Sequence, residues 1–150
     1  MSLDAFLAAA GRWRGVSRLT DPQNGLDDTC PSTATAGPAL QEKFVRITYA
    51  WEHRGKSEEG LIMIAHDPAD SACQLYWGDT FHMGRAIMSL HGHVDGSCLS
   101  ARGTYPVPGH PDWGWRIDVA CEPASLCITM YNITPEGTEE IAVRGEYTRG

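Results

Sequence analysis

From Gly11 onward the chain is a succession of short extended segments divided by turn residues, with no helical spacing between them. "GRWRGVSRL" sets the pattern at 11–19: Trp13, Gly15, Ser17 and Leu19 share one side, and Arg12, Arg14, Val16 and Arg18 share the other. Further segments at 40–52, 58–66, 73–80, 83–94, 99–105, 115–121, 126–133 and 139–149 are separated by turn signals such as "HRGK", "DPADSA", "DGS" and "PVPGHPDWG". An antiparallel meander this long either exposes two sheet edges or closes on itself, and closure removes the edges. The expected fold is all-β, a single domain over residues 1–150: a closed antiparallel up-and-down β-barrel of about nine or ten strands.

Two stretches depart from the pattern. Ser2 can cap a short N-terminal helix in which Leu3, Phe6, Leu7 and Ala10 fall at helical spacing, and Gly11 would end it. Residues 20–38 are rich in Asp, Asn, Gly, Pro, Ser and Thr, and read as a long irregular loop with a short strand near 33–36. Structureless loops beyond about 12–15 residues are uncommon in compact domains unless they form lids or binding loops.

In a closed meander the first strand pairs antiparallel with the last, which brings Trp13 near Arg149. Ile141, Val143, Gly145, Tyr147 and Arg149 share one side of the final strand, so Trp13 and Arg149 are the candidate closure pair. An arginine over an indole face contributes about 0.5–2 kcal/mol. The alternative is an ordinary core tryptophan beside an exposed terminal arginine.

Composition bounds the function. The chain is 42% hydrophobic, enough for a core, and its formal charge of −7 repels phosphate backbones and anionic bilayers. Neither nucleic acid nor a membrane is an expected partner, and no run approaches the ~20 apolar residues of a membrane span. Five cysteines, an odd number without C-x-x-C spacing, and no signal-type segment point to a reduced, cytoplasmic setting.

The strand faces predict an interior lined by Trp51, Leu61, Met63, Leu75, Trp77, Ile87, Trp115, Ile117, Val119, Ile128 and Met130. Apolar walls with a few polar groups suit a small-molecule pocket, and small barrels are also often filled by their own side chains. The polar residues given the same inward parity are Glu59, Asp79, Arg85, His91 and His93. Buried charges must pair, and Asp79 with Arg85 is the first such pair. Trp51, Met63, Trp77, Asp79, Arg85, His91, Trp115 and Met130 are accordingly the candidate ligand-binding set. "HGHVDG" puts His91 and His93 on one face, with His82 or Cys98 as a third group, but the spacing lacks a metal signature and no metal is expected. His110 and Asp112, two residues apart in a loop, could act as an acid/base pair.

A short helix, G-x-W on the first strand, and a meander ending in an arginine resemble the calycin superfamily of lipocalins, fatty-acid-binding proteins and nitrobindin-like barrels. More narrowly, "AHDPADSACQLYWGDTF" and "MYNITPEGTEEIAVRGEYTR" resemble an uncharacterised bacterial lipocalin-like domain family. The resemblance implies a ligand-holding barrel and carries no settled activity. The nitrobindin-like branch holds haem through a histidine, and no histidine here falls in a matching motif, so no cofactor is expected.

The leading expectation is a barrel that binds a small hydrophobic or aromatic molecule. The alternatives are a small-molecule enzyme built on the polar cavity residues, and a packed structural module that forms a homo-oligomer. No G-x-S-x-G, P-loop or dinucleotide fingerprint occurs, which leaves catalytic residues unassigned.

Overall fold

The computed structural model describes residues 3–150. After helix α1 (Asp4–Ala8) come ten strands: β1 (Gly11–Asp21), β2 (Leu26–Ala39), β3 (Phe44–His53), β4 (Lys56–His66), β5 (Ala72–Asp79), β6 (Met88–Asp95), β7 (Cys98–Val107), β8 (His110–Glu122), β9 (Ser125–Ile133) and β10 (Glu139–Arg149). Each pairs antiparallel with its sequence neighbours, and β1 pairs with β10 to close the barrel. Burial alternates along most of the strand length, sending one row of side chains inward and the other to solvent.

In such a topology successive turns fall at alternate ends. The β1–β2, β3–β4, β5–β6, β7–β8 and β9–β10 turns share one end, and α1 with the other turns occupies the opposite one. That second end is sealed. Helix α1 buries Phe6 and Ala9, and the Trp13 indole N–H donates to the Ala9 carbonyl at 2.8 Å. Trp13 and Arg149 are register partners; the guanidinium lies 4.3 Å from the Trp13 ring centroid and donates to the carbonyls of Ala10 at 2.7 Å and Ala8 at 2.9 Å. The last carbonyls of a helix lack intrahelical partners, and here Trp13 and Arg149 supply them. Gly11, at φ +130°, clears the way, because a Cβ there would stand 3.1 Å from Arg149 Nη1. Leu3 occupies the N-cap position without a side-chain cap bond, and Ser2 lies outside the described residues.

The loop expected at 20–38 is mostly strand. Only a short turn separates β1 from the fourteen-residue β2. The inward row of β2 is small, Cys30, Ser32, Ala34 and Ala36, all buried. Ala34 stands opposite Trp13 and Ser32 opposite Trp51, so small residues here complement large neighbours and the usual apolar alternation is muted. Pro31 fits the strand because the β2–β3 register begins only at Ser32.

Candidate functional site

Asp79 ends β5 and points into the barrel, where it is buried. Its Oδ1 accepts the backbone N–H groups of Phe81 at 2.8 Å and His82 at 2.9 Å, which folds the 80–87 connection inward. The His82 ring lies on the same oxygen through Nδ1 at 3.2 Å. On the other side Tyr49 donates its hydroxyl to Asp79 Oδ2 at 2.6 Å, and the Trp77 indole N–H donates to the Tyr49 oxygen at 2.9 Å. Tyr49, Gly60 and Asp79 form one cross-strand row, and Gly60 lets the phenol pass: a Cβ there would sit 2.1 Å from Tyr49 Cζ.

Burial pushes the Asp79 carboxyl upward, but the His82 ring, the Tyr49 hydroxyl and the His82 backbone N–H outweigh it and hold the group below its ordinary range. Burial, joined by the Asp79 charge, drives the Tyr49 phenol well above its ordinary value.

Above this cluster the barrel opens into a cavity of about 560 Å³ at the unsealed end. Its inner wall is aromatic: Trp77 and Trp115 stack with centroids 5.0 Å apart, and Phe81, His82, Met83, Met88 and Tyr105 are among the other lining residues. Tyr105 donates to Asn132 Oδ1 at 2.5 Å, and the buried Trp115 indole N–H has no hydrogen-bond partner. Asp21, Glu140, His53 and Arg54 add charged and polar groups to the lining. Beneath the cluster the interior is filled; the void among Tyr49, Trp51, Asp79, Met130 and Tyr147 amounts to about 10 Å³. A β-bulge between Ile141 and Val143 turns Ala142 onto the cavity wall.

The expected site residues divide into three groups. Trp77 and Trp115 line the cavity, while Trp51, Asp79 and Met130 lie in the packed layer beneath it. Met63, Arg85 and His91 are not inside. Met63 shares the outward row of β4 with Glu59 and Leu61, because 61–64 is an unbroken apolar run whose parity the sequence leaves open and Gly60, not Leu61, faces Tyr49. Residues 80–87 form a connection rather than strand, so Arg85 is exposed and Ile87 is 73% exposed. Strand β6 starts at Met88 and buries the longer apolar row Met88, Leu90 and Val94, which turns His91 and His93 outward.

Asp79 therefore pairs with His82 and Tyr49 and not with Arg85. His110 and Asp112 are exposed at the start of β8, and among the described residues no cluster of His, Cys, Asp and Glu has metal-binding geometry. An enzyme built on Asp79, Arg85 and His91 loses two of its three groups, and Asp79 is saturated by donors from the protein.

Sequence reasoning missed His82, Tyr105 and Asn132 as cavity residues. For His82 the signal was "DTFH", an aspartate at a strand end followed by the two backbone N–H groups it caps. For Tyr105 and Asn132 it was continuation of the inward rows of β7 and β9.

Residues 4–149 match the model of a family described as "Protein of unknown function (DUF1579)". No curated protein matches the chain. The fold is similar to that of the crystal structure of Rv2717c from M. tuberculosis, with a TM-score of 0.73 and 11% sequence identity over 99% of this chain and 96% of that one. At that identity the likeness establishes the fold alone. Among the described residues no helix is long and apolar enough to cross a membrane.

Proposed function

The chain belongs to the DUF1579 family, and from its own geometry we propose that it binds a small, mostly apolar, ring-bearing molecule in the cavity at the open end of the barrel, as lipocalin-like barrels of the calycin type do. The observation that supports this is the contrast between two parts of the interior. The small pocket beneath Asp79, among Tyr49, Trp51, Met130 and Tyr147, keeps only about 10 Å³, whereas the open end keeps about 560 Å³ beside a stacked tryptophan pair. A barrel selected only for stability would gain by filling that space, since each cavity costs contacts. Trp115 and Phe81 supply flat apolar area at little cost in side-chain entropy, the fully buried Trp77 ring stacks against Trp115 and holds it in place, and a few polar groups remain to set orientation. A cytoplasmic setting belongs to the same proposal, supported by five free thiols.

Tryptophan emission titrated with a panel of fatty acids and mono- and bicyclic aromatics tests the reading. Saturable quenching by the aromatics is expected. A flat response across the whole panel, from protein shown to be folded, would refute it.

A further inference from the structure

The Trp77 indole fixes the direction of every proton in the Asp79 network. An indole N–H only donates, so the Tyr49 oxygen accepts from Trp77 and its own O–H points to Asp79 Oδ2. Asp79 Oδ1 already accepts two backbone N–H groups. With both carboxylate oxygens acting as acceptors, the contact with His82 Nδ1 is an N–H donated by the ring. The neutral imidazole is therefore the Nδ1–H tautomer, and Nε2 carries a lone pair.

That lone pair belongs to a ring on the cavity wall. His82 lines the cavity, its side chain keeps 14% exposure, and among the described residues no group bonds Nε2. The ring is held between Phe81 and Trp115, at centroid distances of 4.8 and 5.3 Å, and Trp77 lies 6.1 Å away. It is anchored on one nitrogen and held by edge-on and tilted aromatic contacts, which leaves the other nitrogen as the acceptor of a cavity-lining ring in aromatic surroundings.

We infer that the ligand class is an aromatic alcohol, a phenol or naphthol, whose ring lies against Trp115 and whose O–H is donated to His82 Nε2. The inference rests on the cavity being the binding site. A neutral hydroxyl meets the lone pair without carrying a full charge out of water. An apolar ring without a donor would leave the His82 lone pair dry and unpaired, which is the asymmetry that makes polar sites selective.

The test compares 2-naphthol with 2-methylnaphthalene, which replaces the hydroxyl by a methyl of similar size, by calorimetric titration of both in the same mildly alkaline buffer. The wild-type protein should prefer the naphthol by about tenfold or more. His82→Leu should reverse the preference while still binding methylnaphthalene, which shows that the cavity is intact, and His82→Gln, which retains an acceptor, should keep part of the preference for naphthol. Equal binding of the two compounds by wild type, or a naphthol preference that survives His82→Leu, would overturn the role of His82 and leave the cavity reading standing. Failure of both compounds to bind wild type would overturn the aromatic-alcohol assignment, and would overturn the cavity reading as well only if the wider panel of fatty acids and aromatics also fails to bind.

Discussion

Tyr49 reaches Asp79 across a glycine. The two residues stand on β3 and β5, and the strand between them offers only Gly60 at that level, so the phenol crosses β4 and delivers its hydroxyl at 2.6 Å. Gly60→Ala should destabilise the protein by about 1–3 kcal/mol through overpacking, and by more if the displaced phenol leaves Asp79 and Trp77 unpaired. In a Tyr49→Ala background most of that penalty should vanish, because the added methyl enters vacated space. Denaturant melts of the four proteins read this directly, and an unchanged Gly60→Ala penalty in the second background would mean that the two side chains do not compete.

Acid stability should depend on Asp79. Its folded-state carboxyl lies below the ordinary value, since the His82 and Tyr49 interactions outweigh burial. The resulting stabilisation is present above the unfolded carboxylate range, near pH 4, and is lost as pH falls through the lower folded value. Asp79→Asn should be less stable at neutral pH and should lose less on acidification. Parallel acid limbs for the two proteins would show that Asp79 has no such linkage. At the alkaline end the phenol of Tyr49, raised chiefly by burial and then by the Asp79 charge, should be the last to ionise in an ultraviolet titration, appearing only as the fold is lost.

How much of this was legible in the sequence depends on the strand. Closure was legible because alternation on β1 and over 143–149 of β10 is regular, so the topology brings Trp13 to Arg149, whereas the bulge between Ile141 and Val143 leaves Ile141 exposed against the expected parity. Trp77 and Trp115 were placed inside for the same reason. Met63 failed because Leu61, Ile62, Met63 and Ile64 offer apolar residues to both faces, and what orients them is a glycine making room for a tyrosine two strands' width from Asp79. Arg85 and His91 failed because a side-chain cap by Asp79 ends β5 and turns Phe81 and His82 back over the barrel, so that the connection through 87 is not strand and the parity of β6 is reset. Strand β2 was hidden by its own suitability, since small residues opposite large ones look like loop composition.

Trp13→Ala should cost about 3–5 kcal/mol, as for a buried tryptophan, because it removes a fully buried ring and the N–H that holds Ala9. Arg149→Ala should cost less, its side chain being exposed. The double mutant should fall short of the sum by about 0.5–3 kcal/mol; strict additivity in urea melts would deny the stacking contact.

Thiol chemistry should follow burial. Cys98 is exposed, whereas burial raises Cys73 to about 11 and Cys121 to about 12. Iodoacetamide at neutral pH should modify Cys98 in the native protein and reach Cys73 and Cys121 only after unfolding, as read by peptide mass spectrometry. Early loss of either buried thiol would mean that its surroundings open readily.

The five tryptophans test the location of the site most directly. Each indole N–H gives its own resonance in a ¹⁵N-correlated spectrum: Trp77 and Trp115 lie on the cavity wall, and Trp13 is tied to Ala9 at the sealed end. Titration with 2-naphthol should move the Trp77 and Trp115 indole signals together, in one saturable step, and leave Trp13 in place. Shifts centred on Trp13, or spread evenly over all five without saturation, would contradict a ligand site at the open end of the barrel.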